Sequence, residues 1–143
     1  MNRTIPVLAA AAVLAAAVFL IMRPERADDS APPAPDPGAA MTEVSVPPLT
    51  GNAVIGKRIF DSFCTACHGE NATGRQGSGP PLIHVIYEPG HHADEAFQRA
   101  VATGVRSHHW PFGDMPRIEG LTRGDVAMVI SYIRAIQREN GIN

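Results

Sequence analysis

Only two cysteines occur in this chain, Cys64 and Cys67, and lysine is reduced to Lys57. Both thiols sit within one four-residue stretch, so no disulfide framework is available to staple the fold. A zinc site built on the same pair would lack the second knuckle that such sites require. Aromatic residues make up 6% and the formal net charge is −2. A near-neutral chain with no basic stripe gives no footprint for nucleic acid. No phosphate-binding glycine loop and no nucleophile–base pair can be picked out, and no stretch alternates convincingly enough to be a strand. At 143 residues there is room for one domain, with part of the length spent elsewhere.

What is present is Cys64-Thr65-Ala66-Cys67-His68. Two cysteines separated by two residues and followed at once by histidine form the pattern of c-type haem attachment. Each thiol adds to one vinyl group, and a short helical turn from Cys64 to His68 brings the imidazole beneath the iron. His68 is then the proximal ligand. A thioredoxin-like redox pair would need a βαβ context, whereas the flanks here read as helical and glycine-rich.

In chain order, residues 1–23 hold an apolar run from Ile5 to Met22 after a single Arg3. About 18 residues suffice for a membrane-spanning helix. The run ends on bulky residues and then Arg23-Pro24-Glu25-Arg26, with no small-residue cleavage pattern. An uncleaved anchor is therefore preferred over a signal peptide. Residues 24–49 are a linker rich in proline and alanine, with Asp28, Asp29, Asp36 and Glu43. Lacking a hydrophobic period, it should stay extended and solvated, reaching at most roughly 80 Å.

The folded domain is expected over residues 50–143. Thr50 or Asn52 can cap a first helix that carries Gly56, Ile59, Phe60 and Phe63 and runs into Cys64. A second helix over about 93–103 places Ala96, Phe97, Ala100 and Val101 on one face, with Gly104 as its stop. Thr122 and Asp125 read as a capping box opening a last helix, whose apolar stripe is Val126, Val129, Ile130, Ile133 and Ile136. The stretch from Val105 to Gly120 is a long connection.

An iron held by His68 on one face needs a donor on the other. Met115, in a loop stiffened by Pro116, is the preferred donor. Met128 competes but lies inside the last helix, where methionine is usually core filling. His108 and His109 remain rivals that would give a bis-histidine iron.

The combination Gly56-x-x-x-Phe60-x-x-x-Cys64-x-x-Cys67-His68, Gly79-Pro80-Pro81-Leu82, Met115-Pro116 and Tyr132 resembles the class I monohaem cytochromes c. Together with the apolar amino terminus, it is similar to their membrane-anchored bacterial type. The resemblance implies an all-α fold of three or more helices around one covalent haem c. It implies that the first and last helices cross almost at right angles at Gly56, Phe60 and Tyr132. The Pro80 carbonyl would accept from His68 Nδ1–H, Leu82 would pack on the haem, and Trp110 would lie near its edge or a propionate.

Two features depart from that pattern. Mitochondrial-type relatives dock through a ring of lysines, which this domain lacks, so a small, weakly polar contact is expected instead. The chain also holds His84, His91, His92, His108 and His109. These are either surface residues or ligands of a second copper or zinc site, each adjacent pair lending one imidazole. The functional expectation is a one-electron carrier and not an enzyme, because both iron faces are filled. It would be tethered to the bacterial inner membrane with its haem domain in the periplasm, and would exchange electrons with donor and acceptor proteins of a respiratory chain. The alternatives are a haem subunit fixed in a larger oxidoreductase, a ligand-binding sensor, or a metal-handling domain. No small-molecule substrate is expected.

Overall fold

The computed structural model describes residues 36–143, so the expected anchor and the first part of the linker lie outside the described residues. Four α-helices are found there: α1 (Asn52–Phe63), α2 (Thr65–His68), α3 (Asp94–Thr103) and α4 (Arg123–Glu139). Short 3-10 turns at Glu70–Ala72 and Val85–Tyr87 join them. Pairing between extended segments is confined, among the described residues, to isolated bridges such as Ala40 with Arg75 and Val105 with Met115. The fold is all-α, as expected. None of the described helices is long and apolar enough to cross a membrane.

Helices α1 and α4 form the frame. At Gly56 a Cβ atom would stand 1.9 Å from the Met128 carbonyl oxygen and 3.0 Å from Tyr132 Cβ, so only glycine permits this approach. One turn later Phe60 meets Tyr132, ring centroids 5.4 Å apart, and both side chains are fully buried. Val129, Ile133 and Ile136 complete the α4 side of the core, with Ala53 from α1 and Leu82 and Ile83 from the loop. The expected stripe thus faces inward because its 3.6-residue period matches the buried face.

Helix ends follow local chemistry in two of three cases. Thr122 Oγ1 accepts from Asp125 N while Asp125 Oδ2 accepts from Thr122 N, the reciprocal box expected for α4. Gly104, at φ +77°, ends α3, and its Cβ would meet the Met115 carbonyl oxygen at 2.6 Å. The start of α1 differs: Gly51 is the cap, without a side-chain bond, and neither Thr50 nor Asn52 serves. On α3 the expected apolar face is only half-buried. Gln98 is the buried residue instead, because its amide donates to the Arg123 carbonyl at the start of α4.

Residues 36–49 also differ from a free linker. Met41 N donates to the Thr73 carbonyl at 3.1 Å, Gly38 N to Gln76, and Gln76 N to Ala39. Ser45 exchanges two bonds with the Asn140 side chain, and Val44 and Leu49 pack against the core. An extended strap needs no hydrophobic period to dock, since its backbone groups do the pairing.

Replacing Gly56 by alanine should cost about 3 kcal/mol, the upper part of the overpacking range. That is a fall in melting temperature of on the order of 10 °C or more, read by circular dichroism. The acid limit of α4 is a second test. The Thr122 hydroxyl and backbone hold Asp125 below its ordinary 3.8, so its stabilisation is present above that pH. It is lost as pH falls through the lowered folded value. Asp125→Asn should remove this acid-dependent part of the melting curve while leaving the rest.

Candidate functional site

Helix α1 delivers the chain into a tight turn. Cys64 N donates to the Phe60 carbonyl at 2.8 Å, and His68 N donates to the Cys64 carbonyl at 2.9 Å. Cys64 therefore closes α1 and opens α2 at once, and α2 carries Cys67 and His68 to its end. Gly69, at φ +75°, turns the chain away, and a Cβ there would meet the Gly74 carbonyl oxygen at 2.4 Å.

The two thiols are unlinked, Cys64 partly buried and Cys67 exposed. Burial first, and the neighbouring Cys67 second, push the Cys64 thiol up to about 11. A thioredoxin-like pair works through a lowered thiol, so this environment opposes that chemistry. His68 Nδ1 lies 2.9 Å from the Pro80 carbonyl oxygen. A carbonyl can only accept, so Nδ1 carries the proton and Nε2 is left with its lone pair. Burial holds the ring below the ordinary imidazole value, the Pro80 bond opposing it, and the neutral form is favoured.

Pro80 is placed by its neighbours. A Cβ on Gly79 would stand 2.6 Å from the Cys67 carbonyl oxygen, so the Pro80 loop lies directly on the motif. Leu82, buried, donates its N–H to the Ala72 carbonyl at 2.9 Å, and its own carbonyl accepts from Gln137 Nε2 at 2.8 Å. Asn71 and Ala72 both adopt left-handed backbone, φ 54° and 62°. Such strain persists only where surroundings over-determine it. The Tyr132 hydroxyl, kept protonated by burial, donates to Asn71 Oδ1 at 3.2 Å.

Met115 is held elsewhere, by the loop after α3. Its backbone N–H and carbonyl pair reciprocally with Val105, each at 2.9 Å. The bridge to Val105, more than the following Pro116, fixes its backbone. Trp110 in the same loop has a buried indole N–H without an acceptor among the described residues. Desolvation pushes the half-buried Tyr87 hydroxyl up, and the nearby indole opposes that push without meeting hydrogen-bond geometry. A buried donor of this kind needs an acceptor oxygen, and a porphyrin carboxylate would be one.

The other histidines divide. His84 caps the turn after Ile83, Nδ1 accepting from Ile86 N, and stands edge-on to Trp110. His91, His92 and His109 converge, with His108 beside them. Partial desolvation first, then His108, His92 and His91, hold His109 below its ordinary value.

Sequence reasoning missed the polar knot behind this region. Arg134, nearly buried on α4, donates to Asp94 Oδ1, to the Tyr87 and His92 carbonyls and to Gln137 Oε1, and lies over the Phe97 ring at 5.0 Å. Gln137 is fully buried. The signal was there: both fall on the face that carries Ile130 and Ile133, where a solvated residue does not belong.

The sequence model of the family described as cytochrome c matches residues 53–137, more than half of the chain. The chain belongs to the cytochrome c family. That membership implies a covalent haem c, electron transfer as the role, and redox proteins as partners; members are typically carriers and not enzymes. A comparison with curated proteins finds no match.

Arg134→Met should lose about 2–4 kcal/mol, since it strips donors from buried carbonyl and amide oxygens. The expected readout is a melting temperature lower by on the order of 10 °C, with hydrogen exchange accelerated over residues 85–92.

Proposed function

We propose that this chain is a one-electron carrier in which Cys64 and Cys67 would attach the haem and His68 and Met115 would hold its iron. The observation that carries the reading is the 2.9 Å contact of His68 Nδ1 with the Pro80 carbonyl, directly after the C-x-x-C pair. That bond fixes the tautomer and the ring orientation and raises ligand basicity, as partners of metal-bound imidazoles do. The residues fit the group in two further ways. Trp110 has a buried donor awaiting an acceptor, and Leu82 is a buried apolar residue in the loop that Pro80 anchors. When bound, the haem supplies an iron couple that gains or loses one electron.

The protein's part would be to keep both iron-binding donors still. His68 is locked by Pro80, and Met115 sits on a backbone clamped to Val105. A thioether donor favours the ferrous state, and so raises the potential relative to a second imidazole. Small rearrangement between the two states is the requirement for rapid exchange with a partner.

The apolar run before residue 24 supports tethering of this domain to the bacterial inner membrane, with the haem side in the periplasm. A tether raises the effective concentration of the domain at membrane-bound respiratory donors and acceptors. It thereby offsets the missing lysine ring.

Intact mass of protein matured in an oxidising compartment tests the attachment. The expected mass is that of the chain plus one haem, lost in Cys64→Ala/Cys67→Ala. Met115→Ala should lose the sulfur-to-ferric-iron charge-transfer band and lower the reduction potential. An unaltered band would remove Met115 from the iron. On size-exclusion of detergent-solubilised native protein a carrier elutes alone, whereas a fixed subunit would elute with its complex.

A further inference from the structure

We propose that His91, His92 and His109 form a second metal site, for a divalent transition-metal ion that prefers imidazole, copper(II) ahead of zinc. One ligand atom from each ring lies within 4.8 Å of the others. The ring centroids stand 4.8 Å (His91–His92), 5.5 Å (His92–His109) and 5.6 Å (His91–His109) apart, a nearly equal-sided triangle. Two distant segments supply it: the turn before α3 and the loop after α3. Sequence reasoning expected each adjacent pair to lend one ring, as in extended chain. The turn alters that. His91 N and His92 N both donate to the Glu88 carbonyl, so the backbone is coiled and neighbouring side chains are not opposed.

His92 is built as a ligand. Its Nδ1 lies 2.6 Å from the Ile86 carbonyl oxygen, so Nδ1 carries the proton and Nε2 keeps its lone pair. That is the arrangement by which metal-binding histidines are oriented. Its ring rests near Tyr87, 5.1 Å between centroids, and its carbonyl accepts from Arg134. His91 and His109 are exposed. With bonds of about 2.0 Å, donors stand about 3.3 Å apart on a tetrahedral zinc ion and about 2.9 Å apart at cis positions of a tetragonal copper(II) ion. Rotation of the two exposed side chains about their own bonds can close that distance onto His92.

The donor set selects the ion. Three neutral imidazoles with no carboxylate among them suit copper or zinc and not calcium or magnesium, which take oxygen. His108 flanks the triangle without entering it: its Nδ1 is bonded to the Arg106 carbonyl, and its ring lies tilted to that of His109 with centroids 4.1 Å apart. Three ligands with the fourth position facing water make an exchangeable site, not a closed structural one. An ion there would pin the turn at His91–His92 to the loop that runs on to Met115.

The test is titration of copper(II), and separately zinc, into full-length haem-loaded protein made without a histidine tag and stripped with chelator. Calorimetry and copper electron paramagnetic resonance are the readouts. One equivalent should bind, with nitrogen hyperfine structure in the copper spectrum. His109→Ala and His91→Ala, both at exposed positions, should weaken binding more than about tenfold. His84→Ala should leave it unchanged, and His108→Ala should keep the one-to-one stoichiometry. The haem absorption spectrum should be identical in His109→Ala and the parent protein. Absence of saturable uptake, or equal uptake by the triad variants, overturns the proposal. So does a changed haem spectrum in His109→Ala, which would assign that imidazole to the iron.

Discussion

The close approach of α1 and α4 at Gly56 is the constraint on which the rest of this structure hangs. With a Cβ excluded by the Met128 carbonyl, the two helices lie near enough for Phe60 and Tyr132 to be buried against each other with their rings tilted. Everything around the C-x-x-C-H turn is referred to that contact. Phe60 accepts the bond that closes the turn at Cys64, and the Tyr132 hydroxyl reaches the strained Asn71. Gln137, one further turn along α4, holds Leu82. A single helix thus positions the loop that in turn bonds His68.

Local chemistry was readable at most points where neighbours in sequence are also neighbours in space, the start of α1 at Gly51 excepted. The capping box at Thr122 and Asp125, the stop at Gly104 and the helical turn from Cys64 to His68 all depend on residues within a few positions. Some long-range contacts were also visible, because Gly56, Phe60 and Tyr132 appeared in a family pattern. The contact of Pro80 with His68 was reached by that same route.

What stayed hidden depends on contacts between distant segments with no pattern of their own, and on one local turn. The strap at residues 36–49 looked like free linker because docking by backbone hydrogen bonds leaves no trace in hydrophobic period. The coiled turn at His91 and His92 defeated an expectation drawn from extended chain. Arg134 was passed over because arginine is ordinarily solvated. Here four oxygens converge on its guanidinium, whose hydrogen bonds offset part of their desolvation cost.

The strap carries a practical consequence for anyone cutting this protein into a shorter form. A fragment starting at Thr50, where helix-forming sequence begins, would uncover the apolar surface under Val44 and Leu49 and leave the Thr73 carbonyl and the Asn140 amide to water. The natural excision point lies ahead of residue 36, on the far side of a stretch whose composition advertises dispensability.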